Sequence, residues 1–215
     1  MELKPDNKFN IEILHKKSSI IALISLQTDS ETLLSCLLLK EKYLPIVEKM
    51  NENRKREWLS VRVLLKELLG YEKEILYNSI GKPYLPDNSF YISISHTKGF
   101  ATLIIDKEKE VAIDIEKISP KVENVRKRFI NEKEENALSK TIERIHLILH
   151  WSAKESLFKL IGSERIDFLK HLHILPFKPV VGEWSEFEAF ETSTGNKRMF
   201  TIKYIVHENY VLTYI

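Results

Sequence analysis

The chain has 215 residues, of which 43% are hydrophobic and 10% aromatic, and its 33 Lys and Arg nearly balance 31 Asp and Glu for a formal charge of +2. This is the make-up of one or two globular domains with a substantial core, and mixed-sign charge at 30% of residues describes a solvated surface rather than a disordered tail. The near-zero total excludes a general nucleic-acid binder, and no apolar run approaches the ~18 residues that a membrane helix needs.

Residues 1–10 lack the basic start and apolar middle of a signal peptide, so the expected location is cytoplasmic. Residues 19–26, rich in Ile, predict a buried strand. Asp29 or Ser30 is placed to cap a helix running to Leu39. Within it the lone Cys36 excludes an internal disulfide and a Cys-rich zinc site, and its Leu-rich setting reads as a small buried hydrophobe. Residues 43–69 predict a helix from about Ile46. Trp58, Val61, Leu65 and Leu68 share one face of it, and Gly70 supplies the stop. An extended piece at 75–77 precedes the turn Gly81-Lys82-Pro83. Residues 90–95, 100–105 and 110–116 predict three strands, with a hairpin turn at 106–109 between the last two. Short helices are expected at 123–129 and 132–138, and a longer one at 142–161 ends at Gly162. Four blocks, 168–175, 184–190, 199–206 and 210–215, read as strands. Interspersed helices and antiparallel strands make the fold class α+β.

Four features carry chemistry. In Val111-Ala-Ile-Asp-Ile-Glu116 an apolar strand is broken by Asp114 and Glu116, which leave the same face two residues apart. That face either meets water or holds a hard cation, since oxygen ligands this close suit Mg²⁺. In Trp151-Ser-Ala-Lys-Glu-Ser-Leu-Phe-Lys159, Trp151, Glu155 and Lys159 recur every fourth residue of a helix. Either the last two form an ordinary surface pair, or Glu155 adds a third carboxylate and Lys159 meets a phosphate. Ser95, His96 and Thr97 close a strand with donors suited to a phosphate oxygen, while Ser95 and His96, on opposite faces, make a poor nucleophile–base couple. Lys82 lies on the turn just upstream. Last, Arg54, Lys55, Arg56 and Arg62 form a basic helical segment, either a solvated face or a phosphate grip.

Taken in order, these segments resemble the 4'-phosphopantetheinyl transferase superfamily, of the Sfp type. The matching pieces are the basic helix of residues 54–62, Gly81-Lys-Pro83, Ile94-Ser-His-Thr97, Ala112-Ile-Asp-Ile-Glu-Lys117, Arg128-Phe129 and the Trp151 to Lys159 motif. Thr97 and Ala112 depart mildly from the Ser and Gly common in that pattern. The resemblance implies two similar α+β halves, 1–106 and 107–215, related by a pseudo-twofold and meeting near residues 105–110, with a coenzyme A cleft between them. It implies Mg²⁺-dependent transfer of phosphopantetheine from coenzyme A to a serine of an apo acyl or peptidyl carrier protein, releasing 3',5'-ADP. Asp114, Glu116 and Glu155 resemble the metal carboxylates, and Glu155 also the general base. Lys159 and Lys154, Ser95 and His96, Lys82, and Arg54, Arg56 and Arg62 resemble the coenzyme A contacts. Asp114, Glu155 and Lys159 are thus the expected catalytic group, in a monomer without nucleic-acid or membrane partners. A non-catalytic coenzyme A or nucleotide-binding module and a metal-dependent phosphohydrolase stand as alternatives.

Overall fold

The structure, a computed structural model, describes residues 9–163 and 165–215. Most of residues 1–10, examined above for a leader, lie outside that range. The chain divides into two compact units, Met1–Val111 and Ala112–Ile215.

In the first unit β1 (Ile11–Lys16) and β2 (Ser19–Ser25) form a hairpin. Three helices follow: α1 (Ser30–Ser35), α2 (Lys40–Val47) and α3 (Glu52–Leu69). A small hairpin of β3 (Leu76–Tyr77) and β4 (Pro83–Tyr84) leads to β5 (Tyr91–Thr97) and β6 (Phe100–Asp106). The main sheet is antiparallel with order β1-β2-β6-β5. Ala22, Ile24, Leu103 and Ile105 pack in one core with Leu59, Val63 and Leu64 of α3. Every residue of α3 from Trp58 to Leu65 is buried, so this helix belongs to the core on all sides.

The helix expected from Ile46 to Leu69 is interrupted because Asn51 is extended and its side chain accepts from the Arg54 N–H at 3.0 Å, starting α3 afresh. Gly70, with φ 76°, ends α3 in the left-handed conformation that glycine takes most readily. The edge strand β1 has no counterpart among the predicted elements; its three apolar residues, Ile11, Ile13 and Leu14, are a weak signal, and pairing with β2 makes it a strand.

The second unit begins with β7 (Ile113–Lys117). It continues through α4 (Lys121–Val125), a 3₁₀ turn (Arg126–Arg128), α5 (Glu132–Ala137) and α6 (Glu143–Ile161). The strands β8 (Leu172–Ile174), β9 (Ser185–Glu191), β10 (Arg198–Val206) and β11 (Tyr210–Tyr214) complete it. Its sheet is antiparallel with order β7-β11-β10-β9-β8. Ala153 and Leu157 of α6 share a core with Phe187, Ile202, Tyr204 and Val211 of the sheet.

Two expectations are corrected. Residues 106–109 are not a hairpin turn, because β6 pairs with β2 and β5 while β7 belongs to the other sheet. Asp106 accepts from the N–H groups of Glu108 and Lys109, a local turn that looks the same in sequence whether the chain doubles back or departs. The strand expected over 168–175 shrinks to Leu172–Ile174, because Asp167 accepts from the N–H groups of Leu169 and Lys170 and turns the chain there. The fold is mixed α+β, and no helix among the described residues is long and apolar enough to cross a membrane.

Asn51→Ala removes the acceptor that starts the longest helix of the first unit. Urea denaturation should show a loss of about 1 kcal/mol, with the slope of the transition unchanged.

Candidate functional site

The register of the second sheet sets its polar centre. Asp114 lies opposite Thr213 and Glu116 opposite Val211, so Asp114, Glu116 and Thr213 share one face. Helix α6 covers that face. Ser152 Oγ and Ser156 Oγ each lie 2.9 Å from Thr213 Oγ1. Lys159 donates to Asp114 Oδ1 at 2.8 Å and to the Ile113 carbonyl at 3.0 Å. The Trp151 indole N–H donates to Glu116 Oε1 at 2.7 Å. Asp114 is only 4% exposed, which removes the reading of a strand face turned to water.

The two contacts at the ends locate Glu155. Trp151 reaches Glu116 and Lys159 reaches Asp114, so helix and strand are matched end to end. Glu155 stands one turn, ~6 Å of axis, from each on the same helix face, near enough for the Asp114 charge to act on it and for its own charge to act on Glu116. The stripe of Trp151, Glu155 and Lys159 is a wall of this group rather than a surface ion pair.

Its electrostatics follow from crowding. Burial, then the Asp114 charge, pushes Glu116 up to about 7, with Glu155 adding to the rise and the Trp151 N–H opposing it. Burial and Asp114 likewise push Glu155 up to about 7 against the pull of Lys159. Three carboxylates thus share one lysine. Among the described residues no three His, Cys, Asp or Glu groups converge as a ready metal cage, so the fit to a cation rests on donor chemistry. That chemistry is all-oxygen, anionic and mutually repelled, which suits a hard divalent ion. A cavity of about 520 Å³ lined by Asn131, Glu134, His173, Ile174, Pro176 and Phe190 includes none of these carboxylates.

Lys154 is corrected. It is 0% exposed and its ammonium is paired with Glu134 at 2.8 Å, with the Phe129 and Phe168 carbonyls as further acceptors. Burial lowers its pKa while Glu134 opposes the shift. With its donors spent inside the unit, it has none to offer a phosphate. Glu134 also accepts from the N–H groups of Asn131 and Ile174, so this pair ties α5, α6 and β8 together.

In the first unit, Arg54 Nη1 donates to His96 Nε2 at 2.6 Å and to Glu57 Oε2 at 3.2 Å. His96 is exposed and Ser95 buried, as strand alternation requires. Arg56 is held by Glu52 at 3.0 Å, and Lys82 by Glu110 at 3.3 Å. The Lys82 turn is shaped by Asn78, whose side chain accepts from the N–H groups of Ile80 and Lys82. Arg62 is corrected. It is 2% exposed, its guanidinium stacks on the Trp58 ring, and it donates to the Trp58 carbonyl at 2.9 Å. Burial lowers its pKa to about 10. It is a core residue of α3, not a surface cation.

The structure therefore gathers Asp114, Glu116, Glu155 and Lys159, and separately Arg54 and His96. Sequence reasoning passed over Glu57, Thr213 and Glu134. The first was legible as the acidic residue one turn beyond Arg54; the other two become partners only through tertiary packing.

Compared with known families, residues 110–215, just under half of the chain, match the model of the 4'-phosphopantetheinyl transferase superfamily (ACPS). Among curated proteins, the chain is 36% identical over 69 residues to the 4'-phosphopantetheinyl transferase AcpT of Escherichia coli O157:H7 and to that of Escherichia coli strain K12. It is 35% identical over 69 residues to the AcpT of Salmonella typhi. Each match covers 32% of this chain, and the chain spans about a third of the length of these relatives (35%, 35% and 36%).

Raised carboxylate values have a stability consequence. Between about 4.5 and about 7 the folded state holds a proton on Glu155 that the unfolded chain releases, so this residue costs stability as pH rises through that window. Glu155→Gln should therefore gain on wild type from pH 5 to pH 7.5, by an amount on the order of 1–3 kcal/mol. Urea melts at several pH values in the presence of a chelator measure this. His146 and His150, kept neutral by burial, titrate alike in both proteins and drop out of the difference.

Proposed function

Residues 110–215 carry a domain of the 4'-phosphopantetheinyl transferase superfamily, and on that premise we propose that the protein transfers phosphopantetheine from coenzyme A to a serine of an apo acyl or peptidyl carrier protein. The observation that carries the reading is the covered face of β7 within the matched segment, where Lys159 holds Asp114, Trp151 holds Glu116, and the charges of Asp114 and Glu155 act on the same buried group. The reaction joins the serine oxygen to the β-phosphorus of coenzyme A, breaks the pyrophosphate linkage and releases 3',5'-ADP.

Asp114, Glu116 and Glu155 would hold Mg²⁺, which when bound supplies positive charge to the phosphoryl oxygens. Glu155 takes the serine proton. A carboxylate held ionised beside the bound cation can accept that proton as the new bond forms. Lys159, fixed by Asp114 and the Ile113 carbonyl, presents its ammonium beside the same carboxylates, where charge on a transferring phosphoryl group needs a cation. Ser152, Ser156 and Thr213 hold β11 against α6 and keep the spacing. In the first unit, Arg54 and His96, with Arg56, Lys82 and Ser95, are the proposed coenzyme A contacts. Two halves, 1–106 and 107–215, related by a pseudo-twofold around a coenzyme A cleft, are part of the same proposal, as are a monomeric state and a cytoplasmic location.

Mass spectrometry of a panel of apo carrier proteins, with coenzyme A and Mg²⁺ supplied, is expected to show the gain of one phosphopantetheine. Glu155→Gln should slow it by about 10²–10⁴-fold, the usual contribution of a general base. No modification of any carrier, or a Glu155→Gln protein as fast as wild type, would overturn the reading. Inorganic phosphate released without a carrier would instead indicate hydrolysis.

A further inference from the structure

We propose that Trp151 is a positioning residue for Glu116, turning that carboxylate toward the cation site through its indole N–H. The inference rests on the metal-binding reading above and adds a residue to it.

The indole is fixed by its own packing. Phe129 meets it edge to face, with ring centroids 5.2 Å apart, and Phe168 lies on it at 5.6 Å. Phe129 is fully buried and Phe168 packs in turn on Phe158 of α6. The direction of the N–H is therefore set by two aromatic neighbours, Phe129 and Phe168, rather than by Glu116. That N–H meets Glu116 Oε1 at 2.7 Å. Indole nitrogen donates and cannot accept, so Trp151 neither binds a cation nor takes a proton. What it does is select one orientation of a flexible side chain. With one lone pair of Oε1 occupied, the rest of that oxygen and Oε2 stay available to a cation.

The stripe on α6 shows a regular design. Lys159, a donor, holds Asp114; Trp151, a donor, holds Glu116; Glu155 lies between them. Each strand carboxylate is thus oriented by one donor from the helix, and the two donors are eight residues apart on one helix face. Lys159 adds charge, which the reaction uses directly. Trp151 adds none, and its contribution is confined to geometry. Partners that orient ligand side chains in this way are worth about 10–100-fold in metal affinity.

Trp151→Phe keeps an aromatic ring between Phe129 and Phe168 and deletes the N–H. Titration with Mn²⁺, followed by electron paramagnetic resonance, and with Mg²⁺, followed by calorimetry, should show affinity weakened about 10–100-fold. The melting temperature measured in chelator should stay close to wild type. In a Glu116→Ala background the same substitution should cost little further affinity, because the held group is gone. Wild-type affinity in Trp151→Phe overturns this inference while leaving the metal reading intact. An undiminished cost in the Glu116→Ala background also overturns it, since the effect would then be packing alone. A wild-type protein that binds neither ion overturns the metal reading, and this inference with it.

Discussion

Three carboxylates held against a helix, with one lysine among them, are the constraint around which the second unit is arranged. Burying like charges this close is unfavourable: burial first, and the Asp114 charge second, push Glu116 and Glu155 up to about 7. The surroundings are built to tolerate it. Lys159 neutralises Asp114, the Trp151 N–H meets Glu116, and the hydroxyls of Ser152, Ser156 and Thr213 fill the polar seam behind them. None of these contacts removes the excess negative charge. A cluster that keeps surplus negative charge beside these contacts has the donor chemistry of a hard-cation site.

A second buried charge pair shows the contrasting solution. Lys154 and Glu134 satisfy each other and the nearby backbone, leaving neither charge nor donor over. Such closure gives a structural tie among α5, α6 and β8, and it excludes ligand chemistry. The two lysines of one helix thus do opposite work. Lys159 lies in a group with surplus negative charge, and Lys154 lies in one where charge is matched.

The first unit repeats this sorting for arginine. Arg62 is spent within the core of α3, stacked on Trp58, whereas Arg54 stands at the start of the same helix beside His96. Position along α3 decides the difference. Its first turn carries the exposed Arg54, and from Trp58 onward every residue to Leu65 is buried. A guanidinium in that buried stretch is retained by an aromatic face and a carbonyl rather than offered to an anion.

Much of this was legible in the amino-acid order. The two-residue spacing of Asp114 and Glu116 placed both on one strand face, and the four-residue spacing of Trp151, Glu155 and Lys159 placed them on one helix face. Gly70 and Gly162 marked the ends of both long helices, because that signal is local, whereas the fresh start of α3 at Asn51 went unread. Pairing was not legible: the turn at Asp106 separates two sheets instead of joining two neighbouring strands, and β1 exists only through β2. Nor was the division of labour between Lys154 and Lys159 or between Arg54 and Arg62. Residues 154 and 159 point ~140° apart around a helix of 3.6 residues per turn, so only one of them can face β7. Which one does is set by how α6 is rotated against the sheet, and that rotation comes from the packing of Ala153 and Leu157 on Phe187, Ile202 and Val211. Periodicity determines which residues travel together; the phase of a helix against its sheet is a property of the assembled core.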